Sequence, residues 1–271
     1  MRLRVLAAGV DRASVETLRQ PGPRRKGAGR LLMPLRWLDH TRPTVSQDLA
    51  LDEALLEQAE AEGGPGTLRL WSPPRHAVVL GASGKLADEV DPEACRREDI
   101  PIYRRSSGGG TVIVGPGALN VAVVLPVDAD PALSGVETAQ AFVLGRFAET
   151  IRRLGPRVEV RGSGDLVLGD RKVAGSAQRR MRRHVLIHAT ILCDFPLDLI
   201  ARCLRQPARQ PAYRGGRGHG EFVANLGVDR MGLTEALRRA WDADDGAAIP
   251  GALVARLDTE KFADPAWVGR F

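Results

Sequence analysis

Apolar positions recur at helical spacing in two long stretches. Val45, Leu49, Leu51, Leu55 and Leu56 form one broad apolar face. Val136, Ala139, Val143, Phe147, Ile151 and Leu154 form another. Each pattern predicts a helix packed on a core. Thr44-Val45-Ser46-Gln47 reads as a capping box that starts the first helix, and Gly63-Gly64-Pro65-Gly66 stops it after Glu62. Ser134-Gly135-Val136-Glu137 reads as a second capping box. Shorter helices are predicted from the Asp91-Pro92 pair to Glu98, over 197–204 and over 233–241. Apolar runs bounded by Gly, Pro and Asp predict strands at 68–71, 77–80, 102–104, 111–114, 120–125, 158–160, 165–168, 172–174 and 185–192. Gly169-Asp170 is a turn, and 215–220 reads as a loop. Strands and helices mix without strict alternation. The fold class predicted is α+β, with mixed and antiparallel sheets sandwiched with helices.

One stretch breaks this pattern: Arg104-Arg105-Ser106-Ser107-Gly108-Gly109-Gly110-Thr111-Val112. Three adjacent glycines lose much backbone entropy on folding. Such a loop can present bare amides to an anion and lie close along a ligand chain. It can also be a plain hairpin turn, and the loop alone leaves both readings open.

Charge narrows the range of partners. The 271 residues carry a formal net charge of +6, which by itself would suggest nucleic acid. Residues 1–32 hold eight basic and two acidic side chains, so the rest is balanced at 31 of each. The basicity therefore belongs to a terminal stretch, and a nucleic-acid binder is not expected. That stretch is rich in Arg, Gly and Pro and is expected to be a flexible extension, with Met33 as an alternative start. Cys95, Cys193 and Cys203 lack metal-ligand or disulfide-framework spacing, which suits a reducing compartment. No apolar run approaches membrane-span length. A cytoplasmic protein with no membrane partner is expected.

Two further clusters carry candidate chemistry. In 164–178, Asp165 and Lys172 flank a predicted hairpin. A lysine can stabilise a phosphate or a polarised carbonyl, and an aspartate can hold Mg²⁺. Both are equally at home on an exposed turn. His188-Ala189-Thr190 lies in an apolar strand, where a histidine is either a hydrogen-bonded core residue or a catalyst. The run Arg179-Arg180-Met181-Arg182-Arg183 is either a solvated face or a contact for an acidic acceptor or a phosphate.

Together the three clusters resemble the lipoate–protein ligase A group of the biotin/lipoate ligase superfamily. The family's Arg-Arg-x-x-Gly-Gly-Gly motif is similar to 104–110. Its Asn-Asp-Leu…Gly-Arg-Lys-Ile…Gly-x-Ala pattern is similar to Gly164-Asp165-Leu166, Arg171-Lys172-Val173 and Gly175-Ser176-Ala177. Its His-Gly-Thr-Leu-Leu strand resembles 188–192. The helix residues 51–56, Asn225-Leu226, Lys261-Phe262 and Trp267 are also similar to family landmarks. The resemblance covers about residues 33–271, and the order and spacing of the motifs carry it.

The resemblance implies a class II synthetase/biotin–lipoate ligase-like fold. It also implies one catalytic domain over 33–271, with no large C-terminal accessory domain. In the family, lipoate or octanoate reacts with ATP to give an acyl-adenylate. A lysine of a lipoyl domain then attacks it. The implied acceptors are the E2 subunit of a 2-oxo acid dehydrogenase or the glycine cleavage H protein, and a separate accessory subunit is a further implied partner. By matching position, Lys172 is the implied catalytic residue. Arg104, Arg105, Ser107, Gly108, Gly109, Gly110, Asn120, Gly175, Ser176, Ala177, His188 and Thr190 are implied to bind substrate, and Asp165 to hold Mg²⁺.

Departures from the pattern define two rivals. Val114-Gly115 stands where ligases often have His-Asp, Gly164 where Asn is common, and Ala189 where Gly is common. The Val114-Gly115 and Gly164 differences fit a binding protein that kept an acyl-adenylate pocket and lost turnover. The superfamily also contains acyltransferases that use a cysteine just before the Asp-Leu hairpin and no ATP. Here that segment is Arg161-Gly162-Ser163-Gly164, which disfavours the thioester route. Every version of the ligase reading requires the glycine loop and the Lys172 amine to close around one ligand.

Overall fold

A computed structural model describes residues 34–271. The expectations for residues 1–32 and for a start at Met33 lie outside the described residues. In chain order the elements begin with β1 (Leu35–Asp39), α1 (Val45–Glu62), β2 (Thr67–Trp71) and β3 (Ala77–Leu80). The short helices α2 (Leu86–Glu89) and α3 (Pro92–Arg97) lead to β4 (Ile102–Arg104), β5 (Val112–Val114) and β6 (Ala118–Pro126). Next come α4 (Val136–Arg153), β7 (Val158–Arg161), β8 (Asp165–Leu168), β9 (Arg171–Arg180) and β10 (His184–Leu192). The chain closes with α5 (Leu197–Cys203), α6 (His219–Phe222), α7 (Arg230–Ala240), β11 (Ala243–Asp245), α8 (Gly251–Leu257) and α9 (Pro265–Val268).

Eight strands form one mixed sheet in the order β11-β1-β2-β6-β10-β9-β8-β7. A separate three-stranded sheet has the order β4-β3-β5. The α+β expectation holds, because local hydrophobic periodicity and tertiary burial agree. One face of the large sheet packs on α4 and α7, where Val143, Leu144, Phe147 and Leu237 meet Leu70, Val121, Val123 and Ile187. On the opposite face, Leu49, Leu56, Val79, Val114, Val124, Leu186, Leu257 and Phe262 join α1, the small sheet and the C-terminal helices. Aliphatic burial on both faces supplies the main driving force for this sandwich. No helix among the described residues is long and apolar enough to cross a membrane.

Local signals account for most element boundaries. The Thr44 hydroxyl accepts from the Gln47 amide and caps α1. Asp91 caps α3 with Pro92 at its first position. The second predicted capping box does not form. Gly135 is the N-cap of α4, and Ser134 donates its hydroxyl to the Pro131 carbonyl, closing the preceding 3-10 turn Pro131–Ser134. The predicted loop at 215–220 also gives way at its end, where α6 starts at His219.

The glycine stretch is not a hairpin. β4 and β5 do not pair with each other: β4 runs parallel to β3 on one side, and β5 runs antiparallel to it on the other. The 105–111 connection therefore crosses the end of β3. Gly81, just past that strand, makes the crossing possible. A Cβ there would lie 2.0 Å from the Gly109 carbonyl oxygen.

Candidate active site

The floor of the site is one transverse stripe of the large sheet. Trp71 pairs with Asn120, Asn120 with Thr190, Thr190 with Gly175, and Gly175 with Asp165. Residues directly opposite on neighbouring strands share a face. Four inter-strand steps of about 4.8 Å make the stripe roughly 19 Å long. An extended eight-carbon chain, with bonds of about 1.5 Å, covers roughly half of that. In the next row, Arg69, Ala122, His188 and Ala177 are aligned in the same way.

Lys172 reaches this floor through a bulge. Between β8 and β9 the register shifts at Leu166/Val167, so that Lys172 lies opposite Val167. Val173 and Ala174 both turn into the α4-side core. An extra residue in one strand re-aims its neighbours, and here Lys172 comes back over the floor. Its Nζ lies 2.8 Å from Asp165 Oδ1. A Cβ on Gly175 would sit 2.6 Å from the same nitrogen, so the bare backbone at 175 makes room for the amine. Asp165 Oδ2 accepts a hydrogen bond of 2.6 Å from the Tyr213 hydroxyl. Burial and the adjacent Asp165 push the Tyr213 phenol above its usual range, so the hydroxyl stays a donor.

The glycine loop is the roof. Buried Arg105 donates to Ser107 Oγ (3.0 Å), the Val79 carbonyl (3.2 Å), the Gly108 carbonyl (2.6 Å) and the Gly110 carbonyl (2.9 Å). Burial lowers this guanidinium to about 10, partly offset by Glu89. The loop is thus held from behind, and Gly108, Gly109 and Gly110 are exposed. Beyond the glycines, the Thr111 amide and hydroxyl both donate to Glu89 Oε2, at 3.1 and 2.6 Å. Roof and floor enclose a cleft of about 900 Å³, lined by Gly109, Gly110, Lys172, His188, Trp71 and Phe222 among others. The loop and the amine therefore face one space, as the ligase reading required.

Arg104 apart, the residues expected to touch substrate lie at or next to the cleft, and several have their polar groups paired within the protein. Arg104 does not line the cleft. Its guanidinium donates to the carbonyls of Gly81 (2.8 Å), Gly84 (2.6 Å), Trp267 (3.1 Å) and Val268 (2.7 Å). It bolts the C-terminal turn to the end of β3. Ser107 is 2% exposed, and its oxygen lies 2.6 Å from His188 Nε2. Ser176 accepts from Gln140 Nε2 and donates to the Gly164 carbonyl. Asn120 accepts from Thr190 and donates to the Trp71 carbonyl. Ala177 lies under the roof, 3.6 Å from where a Gly109 Cβ would stand. In the arginine run, Arg180 donates to the Leu133 and Gly135 carbonyls, and Arg183 pairs with Glu60.

The motif reading missed a buried polar cluster beside the floor, under α1. Asp48 and Asp52 of α1 both pair with fully buried Arg69, which also stacks on Trp71. The other Asp52 oxygen is 3.8 Å from His188 Nδ1. Hydrogen bonds run from His188 through Ser107 to Arg105 and the glycine loop, and the Asp52 carboxylate stands beyond the far side of the ring without a hydrogen bond to it. The only sequence signal was an acidic pair, Asp52-Glu53, inside an apolar helix face.

Two chemistries can be weighed on this geometry. All three cysteines are buried and free. Burial pushes Cys95 up to about 12 and Cys193 up to about 11, far from a reactive thiolate. Among the described residues no group of three or more His, Cys, Asp or Glu could hold a metal ion. Both Asp165 oxygens are already taken, one by an ammonium and one by a phenol. The residues present do not fit a protein-held Mg²⁺.

A candidate lipoate-protein ligase A of Aeropyrum pernix is 39% identical over 145 residues, covering 54% of this chain and 52% of that protein. Octanoyltransferase LipM of Symbiobacterium thermophilum is 30% identical over 262 residues, covering 83% and 92%. The chain spans about half the length of two ligases that it matches by sequence, 52% of the Aeropyrum protein and 56% of lipoate-protein ligase LplJ of Bacillus subtilis. Among solved structures, a bi-partite lipoate protein ligase of Thermoplasma acidophilum, studied with its E2 lipoyl domain, superposes with a TM-score of 0.75. It is 23% identical, with 88% of this chain and 98% of that one covered. A lipoate-protein ligase A bound with ATP gives the same TM-score and identity, covering 88% and 100%. These likenesses establish the class II synthetase-like fold. The family model for the lipoyl protein ligase A/B catalytic domain matches residues 44–230, the span that holds roof, floor and Lys172, and the chain belongs to that family.

Proposed function

We propose that this cleft transfers a lipoyl or octanoyl group to a lysine of a lipoyl-domain protein, through an acyl-adenylate formed from ATP. One observation carries the reading: the glycine loop and Lys172 line the same cleft. On this reading each part of such a substrate would find room along the stripe. The acyl chain would lie toward Trp71 and Asn120, and the acyl phosphate beside Lys172. Attack of the carboxylate on the α-phosphate of ATP would release pyrophosphate. Attack of the acceptor amine on the acyl carbonyl would then release AMP. Lys172 stabilises negative charge as it develops on the phosphate and carbonyl oxygens, and the roof holds the carbonyl in line. Mg²⁺ would arrive on the phosphates of ATP rather than in a protein cage.

The relatives support this reading in kind: one structural neighbour holds ATP, and another was studied with an E2 lipoyl domain. The second reading is ATP-independent acyl transfer, favoured by the LipM likeness over 83% of this chain. The buried thiols count against a cysteine route. The test is to mix the protein with ATP, Mg²⁺, a lipoyl domain, and lipoate or octanoate. Mass gain on the domain with matching pyrophosphate release is the expected result. Mass gain from an octanoylated carrier without ATP would establish the second reading instead. Binding of lipoyl-AMP with no transfer under either condition would leave only a binding protein.

A further inference from the structure

The Tyr213 hydroxyl belongs to no motif, yet it meets the hairpin that carries Lys172. It donates to Asp165 Oδ2 at 2.6 Å, while Asp165 Oδ1 lies 2.8 Å from Lys172 Nζ. The carboxylate is pinned from two sides, so it cannot turn without losing one partner. Tyr213 sits on the 3-10 turn Ala212–Arg214 and packs against Phe222, with ring centroids 5.3 Å apart. The surrounding segment is fastened to the same hairpin at three more points. Arg217 donates to Asp170 Oδ2 (2.8 Å), Arg171 donates to the Gly220 carbonyl (3.1 Å), and the Ala224 amide donates to the Lys172 carbonyl (2.9 Å).

We infer that Tyr213 is a positioning residue for Lys172, acting through Asp165, and that Asp165 anchors Lys172 rather than ligating magnesium. An ammonium carries three donors. One is spent on Asp165, and two remain for the cleft, where Lys172 is 28% exposed. A divalent ion on Asp165 would have to displace that ammonium or share the carboxylate with it. Two cations at such a separation repel strongly in a partly buried site. Tyr213 removes the remaining freedom of the carboxylate and so fixes the point charge that the acyl phosphate meets. The catalytic part of this inference rests on the proposed function; the positional part does not.

The experiment uses the full chain with Tyr213→Phe, Asp165→Asn and the double variant. Both substitutions conserve shape, and Tyr213→Phe keeps the stack on Phe222. The first measurement is the ammonium ¹H–¹⁵N signal of Lys172, assigned by its loss in Lys172→Arg. It is expected to be sharp in the unaltered chain, broadened by about tenfold faster proton exchange in Tyr213→Phe, and absent in Asp165→Asn. An unchanged signal in Tyr213→Phe overturns the positioning role, whether or not the protein turns over. The second measurement is ATP-dependent transfer. Tyr213→Phe should lower kcat about tenfold with KM for ATP and acyl acid within about twofold, and the double variant should be no slower than Asp165→Asn. Additive losses would make Tyr213 a packing residue only. The third is Mn²⁺ affinity in the presence of ATP, expected to be the same within about twofold in Asp165→Asn. A tenfold loss there would make Asp165 a metal ligand. If the unaltered chain shows no ATP-dependent transfer, the ligase reading falls, while the Lys172 signal still decides the positioning role.

Discussion

Ser107 Oγ and His188 Nε2 stand 2.6 Å apart, although 81 residues separate them in the chain. The contact joins the roof of the cleft to its floor. Behind Ser107, Arg105 holds two glycine-loop carbonyls. Behind His188, Asp52 approaches the other ring nitrogen at 3.8 Å. Ser107 does not line the cleft, whereas His188 does. The histidine therefore links the cleft to the base of the loop.

Replacing His188 with Ala should loosen that loop. The Ser107 hydroxyl keeps Arg105 but loses its histidine partner, and the Asp52 carboxylate loses the ring beside it. Transfer to a lipoyl domain is expected to fall about 10- to 100-fold, with a stability loss of about 1–2 kcal/mol. Initial rates and urea unfolding measure the two effects. An unchanged rate would show that the loop keeps its position without the histidine.

Arg104 should behave as a structural residue. Its side chain is fully buried and serves carbonyls from two segments far apart in the chain. Arg104→Ala removes the donor that those carbonyls share, and a cost of about 2–4 kcal/mol is expected. Thermal unfolding should show it as a clear drop in Tm. In the fraction that stays folded, KM for ATP and the acyl acid should be close to unaltered. A selective rise in KM with normal stability would return Arg104 to the substrate.

Gly81→Ala tests the crossing of β3. The added Cβ would meet the Gly109 carbonyl at 2.0 Å, and that neighbour is backbone rather than a flexible tip. The roof must move, so kcat/KM should fall about 100-fold while circular dichroism stays native. A variant with normal kinetics would mean that the loop need not cross so closely.

Stability should carry a pH signature from Asp48. Burial raises its carboxyl to about 7, against the opposing pull of Arg69 and the Arg42 amide, and the nearby Asp52 adds to the rise. A raised folded-state value means that folding favours the protonated form. The stability it lends is full below the unfolded value of 3.8 and is lost as pH rises through about 7. Asp48→Asn cannot titrate. The stability of the natural chain relative to this variant should therefore decline by a few kcal/mol, at most, between pH 4 and pH 8. Urea midpoints at several pH values measure this, and parallel curves would remove Asp48 as the source.

Much of the secondary structure was legible because it is written locally. The 3.6-residue spacing of Val143, Phe147 and Ile151 and the caps at Thr44 and Asp91 need only near neighbours. Ser134 misled for a related reason. Its hydroxyl could accept from a helix amide or donate to the Pro131 carbonyl, and the 3-10 turn took it. The arginines were legible as a motif but not in their roles. Whether a guanidinium faces a ligand or a ring of carbonyls depends on segments more than 150 residues away, as the Arg104 contacts with Trp267 and Val268 show.

From residue order alone came the fold class, the family resemblance, and the pairing of a glycine loop with Lys172, because periodicity and motif spacing are properties of the chain itself. Tertiary structure alone decided that β4 and β5 flank β3, that a bulge turns Lys172 onto the floor, and that Tyr213 and Asp52 belong to the site. Strand register and long-range hydrogen bonds settle those points. Both are set by which buried polar groups can be satisfied together once the whole chain has packed.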